Sequence, residues 1–324
     1  MEPWIIGIVL IVLSVLCAAL TSRAWRAKGR AVRWLGVPLG MLLTVGLGLV
    51  GAVDLRGVYL LNAPRGNPVS DVKVVPDPER LERGERLAHL CASCHSTTSK
   101  LPLDGGRESL LSSPTDPGLG MLYPPNLTPG GPLREWTDGE IIRAIREGFD
   151  KNGHALLIMP ADGFHSMSDA DVQAIVAYLR SQPAIARSTP PRSINLLGTM
   201  LIGAGLLPTA AQPPITGPVA APPAGTSPES GRYLVSIAGC RVCHGQNLEG
   251  RQPDRRGPPA GPSLAVVSKW NEADFVRTIR TGVDPSGHAL RSELMPWRQF
   301  TAAFSDDDMK SIYAYLRGLQ PTTR

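Results

Sequence analysis

Cysteine is scarce in this chain, which carries five among 324 residues. Four already stand as the pairs Cys91/Cys94 and Cys240/Cys243, each followed directly by a histidine, and the fifth, Cys17, lies in an apolar run. No disulfide framework is left to build from them. Charge of one sign is lacking too. The net charge is +5, but Arg23, Arg26, Lys28, Arg30 and Arg33 fall in one short link and account for all of it, leaving the remainder neutral. That excludes the spread basic surface of a nucleic-acid binder, and no nucleic-acid partner is expected. Runs that alternate apolar and polar residues as strands do are missing, and no βαβ pattern occurs.

What is present begins with two long apolar stretches. Pro3–Leu20 carries no charge, and Leu35–Val53 repeats this over a similar length; both meet the roughly 18-residue threshold for a membrane-spanning helix. A cleaved signal peptide needs basic residues ahead of its apolar core, whereas only Met1 and Glu2 precede this one, so the first segment is expected to be retained. The five basic residues lie between the two helices. The positive-inside rule then puts that link in the cytoplasm and both flanking ends outside. Gly36, Gly40, Gly46, Gly48 and Gly51 in the second stretch include one G-x-x-x-G spacing, which either admits a partner helix or reflects the ordinary glycine content of membrane helices. Cys17 reads as a small apolar packing residue.

After Val53 comes a polar, proline-rich connector, and beyond it one pattern occurs twice. Asp77-Pro78 and Ser227-Pro228 each open a helix, as N-cap and first-turn proline. These helices lead into Cys91-Ala92-Ser93-Cys94-His95 and Cys240-Arg241-Val242-Cys243-His244. Downstream, Trp136, Gly148, His154 and Met159 match Trp270, Gly282, His288 and Met295. Thr137 with Glu140 makes a capping box, and Asn271 with Asp274 a looser one. Each copy closes with a capped helix, Ser168–Leu179 and Ser305–Leu316. Between the copies, 194–207 is apolar apart from Asn195 and Thr199. It is marginal for a span, and a span there would put the two copies on opposite sides of the membrane. It is expected to pack on a domain, a partner or the bilayer surface.

The C-x-x-C-H motif places two thiols where they can add to the two vinyl groups of one haem, with the adjacent histidine held under the iron. The rivals are zinc, which would have to draw on both distant clusters at finger-like spacing, and a thioredoxin-type dithiol, which lacks its βαβ setting. With these motifs the chain resembles the class I c-type cytochromes over both repeats, though not over the membrane segments. The sequence reads as all-α: two transmembrane helices (1–54), a connector (55–76) and an apolar segment with proline-rich linker (186–226), to which the resemblance adds a first cytochrome c-like domain (77–185) and a second (227–324). It implies two covalent haem c groups, with Cys91, Cys94, Cys240 and Cys243 as attachment points and His95 and His244 as proximal iron ligands. By the same resemblance Met159 and Met295, each followed by proline, are the distal ligands, and soft thioether donors raise the haem potential. Pro125 and Pro262 would supply the carbonyls that hold the proximal histidines. Trp136 and Trp270 would wall the haems, or serve as core tryptophans. His154 and His288 read as loop or propionate-side residues, and His89, His165 and Met167 as structural or exposed. The first copy has the longer loop, around Lys100–Tyr123, to shield its haem or meet a partner.

Two six-coordinate irons leave no open position for substrate. The expected function is therefore electron relay on the periplasmic face of a bacterial inner membrane, between a dehydrogenase or quinol-oxidising complex and an acceptor such as an oxidase. The alternative is a dihaem peroxidase-like enzyme in which one haem switches ligand.

Overall fold

Pro3 occupies the first turn of α1 (Pro3–Trp25), where its missing N–H costs nothing. A π-helical turn, Val32–Gly36, leads into α2 (Val37–Asn62). The computed structural model describes residues 2–113, 118–223, 225–252 and 260–319. Met1, part of the Lys100–Tyr123 loop, one linker residue and the last residues assigned to the second domain lie outside them. Helices α1 and α2 form an antiparallel hairpin, long and apolar enough to cross a membrane, with mean hydropathy 2.7 and 2.0. Small residues line its seam. Gly51 meets Gly7, Gly48 meets Ser14 and Gly40 meets Thr21, while the Ser14 hydroxyl donates to the Thr44 carbonyl at 2.7 Å. The glycines of α2 thus let α1 approach closely, and the G-x-x-x-G spacing is used within the chain.

The second apolar helix does not stop at Val53. It continues to Asn62 because Leu55, Val58, Leu60 and Leu61 extend the apolar content and no proline intervenes before Pro64. This extension receives the apolar segment between the repeats, as α8 (Leu196–Gly203) packs against α2. A Cβ on Gly57 would overlap the Thr199 carbonyl, and one on Gly203 the Val53 carbonyl. Asp54 is fully buried at this junction and accepts from the Thr199 hydroxyl, and the Arg56 guanidinium donates to the Gly203 carbonyl. Sequence placed this segment on a domain, a partner or the bilayer; it lies on the chain's own second apolar helix.

The first globular unit holds α3 (Pro78–Ala88), α4 (Ala92–His95), α5 (Asp138–Glu147), α6 (Ala161–Phe164) and α7 (Asp169–Ser181). The second repeats them as α9 (Pro228–Ile237), α10 (Cys240–His244), α11 (Glu272–Thr281), α12 (Trp297–Ala303) and α13 (Asp306–Leu316). The expected caps form: Asp77, Thr137, Ser168, Ser227, Asn271 and Ser305 each accept from a backbone N–H in the first turn. The box at Thr137 is reciprocal with Glu140. In both units the opening and closing helices cross at a glycine. The backbone of Ala174 sits on Gly84 and that of Ser311 on Gly231, so Leu87 and Leu234, one turn on, are driven into the core. The sole regular sheet among the described residues is a two-residue antiparallel pair, Gly120–Met121 with Ser193–Ile194.

The repeats differ in what covers them. In the first, Glu147 accepts from Asn67 at 2.6 Å and from the Ile215 N–H at 3.2 Å, and Ala210 lies on Gly148. Connector and linker together cover Gly148, Phe149, Gly153 and Ala155 of this turn, which are buried, while Asn152 stays exposed. The matching turn of the second unit is largely exposed at Val283 and from Pro285 to Ala289.

Candidate haem sites

A helix turn brings residues i, i+3 and i+4 to one face. Helix α3 passes through a 3-10 turn, His89–Cys91, into α4, and α9 passes through Gly239, at φ 69°, into α10. Cys91, Cys94 and His95, and likewise Cys240, Cys243 and His244, therefore share a face of one short turn at the end of a packed helix. The turn is strapped in the same way twice. Gly105 and Gly250 donate to the His95 and His244 carbonyls, both at 2.8 Å. Each of these glycines holds a positive φ, 97° and 94°, which a side chain would strain.

Each histidine is then fixed from behind. His95 Nδ1 lies 2.9 Å from the Pro125 carbonyl and His244 Nδ1 2.7 Å from the Pro262 carbonyl. A carbonyl can only accept, so the proton sits on Nδ1 and the Nε2 lone pair is left for a metal. Burial lowers both imidazole pKa values, partly offset by these carbonyls, which favours the neutral ring that ligates. Gly261 makes the approach possible in the second unit, since a Cβ there would stand 2.6 Å from His244 Nδ1.

The thiols fit covalent attachment better than the rival chemistries. All five cysteines are free. Burial pushes Cys91 and Cys240 up to about 12, opposite to the lowered pKa that a redox dithiol needs. Among the described residues no three His, Cys, Asp or Glu side chains converge as a zinc site requires.

Met159 and Met295 are half-buried against the core and sit on matching turns. The Ala161 N–H donates to the Met159 carbonyl at 2.8 Å and the Trp297 N–H to the Met295 carbonyl at 2.7 Å. Pro160 (φ −79°, ψ 52°) and Pro296 (φ −77°, ψ 56°) share one backbone conformation. Trp136 and Trp270 also pack on the core, each with its N–H on the carbonyl three residues back, Leu133 and Val267. His154 and His288 belong to turns in which Asp150 and Asp284 accept their backbone N–H groups at 2.9 Å. His154 Nδ1 stands 3.4 Å from Asp150. His165 bonds the Arg146 carbonyl at 3.0 Å and Met167 is wholly buried, both structural placements.

Sequence did not single out one polar cluster. Arg83 Nε donates to Asp171 at 2.9 Å, and Tyr233 donates to the same carboxylate at 2.6 Å. The sole hint was that Asp171 and Asp308 occupy matching third positions of the closing helices.

Two one-turn helices bearing Cys-x-x-Cys-His, each histidine held by a proline carbonyl, define a c-type cytochrome architecture. The family comparisons agree. The model described as "Cytochrome C oxidase, cbb3-type, subunit III" matches residues 79–179, and the one described as "Cytochrome c" matches 229–320. The chain carries two cytochrome c-type domains in tandem, which imply two covalently bound c-type haems. Among curated relatives, the "Alcohol dehydrogenase (quinone), cytochrome c subunit" of Gluconacetobacter polyoxogenes is 28% identical over 76% of this chain and 57% of its own length. The "Gluconate 2-dehydrogenase cytochrome c subunit" of Pantoea cypripedii is 25% identical over 74% of this chain and 59% of its own. The "Fructose dehydrogenase cytochrome subunit" of Gluconobacter japonicus is 22% identical, over 79% of this chain and 56% of its own length. The chain thus spans less than two thirds of the length of these relatives.

Proposed function

We propose that this protein is a membrane-anchored electron carrier that serves a dehydrogenase through two c-type haems. The pair of histidines with Nδ1 tied to a proline carbonyl carries the reading, because that bond leaves Nε2 free to ligate iron in both repeats. The Cys91, Cys94, Cys240 and Cys243 thiols would hold the two haems covalently as thioethers. His95, His244, Met159 and Met295 would be the side chains that ligate iron, while Pro125 and Pro262 would orient the imidazoles and Trp136 and Trp270 would wall the pockets. Bound in this way, a haem supplies a one-electron couple between ferrous and ferric iron. The protein's own part is to staple, orient and desolvate it.

The dehydrogenase partner is supported by the relatives, which are named as cytochrome subunits of dehydrogenases. A quinol-oxidising complex as the alternative donor, and an acceptor such as an oxidase on the other side of the relay, belong to the same reading. The anchor lies in the bacterial inner membrane with Arg23–Arg33 in the cytoplasm and both haem domains in the periplasm. The test is to purify the chain from detergent-solubilised membranes and record its reduced-minus-oxidised spectrum beside the proteins that come with it. A low-spin c-type spectrum and a copurifying dehydrogenase support the relay. A high-spin ferric spectrum with peroxide consumption would instead make it a peroxidase.

A further inference from the structure

The two haem domains meet across a contact built from matching parts. Helix α12 of the second domain packs on α3 and on the turn His89–Cys91 of the first, and α6 of the first packs on α9 of the second. Helices α6 and α12 are counterparts, each entered through a Met-Pro turn of the same conformation. Gly163 brings α6 close, since a Cβ there would lie 3.2 Å from the Ser236 carbonyl oxygen. The seam borders a partly open cavity of about 140 Å³ whose walls include the matched pairs Pro160 and Pro296, Phe164 and Phe300, and Ser93 and Val242. Ser93 and Val242 are interior residues of the two C-x-x-C motifs. Both attachment turns and both Met-Pro turns therefore border one seam, and a single apolar core runs through the two domains.

A polar clamp lies beside it. Arg83 on α3 binds Asp171 of its own domain at 2.9 and 3.2 Å and reaches Asp308 of the other at 3.3 Å. Tyr233 on α9 donates to Asp171 at 2.6 Å and accepts from the Ser168 N–H at 3.1 Å. Asp171 and Asp308 sit in the first turns of α7 and α13, where helix dipoles favour their charge. One guanidinium thus joins two carboxylates that would otherwise repel, and the phenol ties α9 to α7. Registered on the crossing glycines Gly84 and Gly231, Arg83 and Tyr233 stand opposite Ser230 and Arg86, which make no such bridge among the described residues. The clamp therefore breaks the symmetry of the repeat and joins one domain to the other.

We propose that Arg83, Asp171, Tyr233 and Asp308 are positioning residues that hold the two haem-attachment turns against each other, and that this seam sets the electronic coupling between the two sites. This rests on the electron-transfer reading above. The exchange it serves moves one electron, so that one site is oxidised as the other is reduced, with no bond, proton or co-reactant involved.

The test uses the full-length haem-loaded chain in detergent, as wild type, Tyr233→Phe, Arg83→Met and Arg83→Lys, with Arg277→Gln as a control in an exposed ion pair away from the seam. Tyr233→Phe removes a single oxygen and leaves each domain its core. Amide hydrogen exchange in 161–164 and 297–303 should rise at least tenfold in Tyr233→Phe and Arg83→Met, while that in 272–281 stays as in wild type. After pulsed photoreduction, equilibration between the two haems should slow at least tenfold in the same variants. Arg83→Lys should fall between, and Arg277→Gln should match wild type. Wild-type exchange in both variants, or unaltered equilibration across an opened seam, would overturn the proposal. A chain without haem would defeat the electron-transfer reading, and the exchange data would still judge the clamp.

Discussion

Because a carbonyl oxygen cannot donate, the bonds from His95 and His244 to Pro125 and Pro262 assign the imidazole protons without any hydrogen being seen. A neutral thioether ligand favours ferrous iron, and the proposed function gives Met295 that role. Replacing Met295 with Ala should therefore lower the potential of the second haem by a sizeable share of the roughly 0.8 V range that axial ligands span, and open its iron to carbon monoxide. A redox titration with a carbon monoxide difference spectrum checks this, and unaltered values would point to another ligand. Tyr233 gives a pH signature. Burial and the adjacent Asp171 carboxylate raise its pKa above the ordinary 10.0. A group whose pKa is raised on folding lends its stability in full below its unfolded value and loses it as pH climbs through the folded one. The stability difference between wild type and Tyr233→Phe should thus hold steady to about pH 10 and shrink above it, as denaturant titrations at pH 8 and pH 11 would read. At this scale sequence was most informative where chemistry demands a fixed spacing, as in the C-x-x-C-H motifs. Tyr233 and Arg83 could not be found in that way, because their partners lie 62 and 225 residues away.

Helix crossings carry the next level of the account. The peptide of Ala174 lies directly on Gly84, as that of Ser311 lies on Gly231. Gly84→Ala should destabilise the first domain by about 1–3 kcal/mol through overpacking, despite the roughly 1 kcal/mol that alanine gains in helix propensity. Denaturant unfolding of the variant measures the balance. On the anchor, Gly57→Leu should push α8 off α2 and speed amide exchange at 196–203, because the Thr199 carbonyl occupies the space a side chain needs. Caps at Asp77, Thr137, Ser168, Ser227, Asn271 and Ser305 were legible in sequence because capping is local. The extension of α2 to Asn62 was not, since Asp54 and Arg56 read as polar connector until Thr199 and Gly203 supply their partners. A charge in sequence marks a surface only when nothing later in the chain returns to cover it.

For the whole molecule, an apolar hairpin holds the first domain through α8, connector and linker wrap that domain, and the second docks through a seam of matched elements. The internal repeat disclosed the two domains in advance. Their mutual placement depends on side-chain contacts between distant segments, which no periodicity encodes. The central claim is that each C-x-x-C-H turn carries one covalent haem. Intact-mass measurement of the mature chain, purified from membranes, tests it most directly. The account predicts two haems on the wild type, one after Cys91→Ser with Cys94→Ser, and one after Cys240→Ser with Cys243→Ser. A colourless chain at the mass of the bare polypeptide would contradict it.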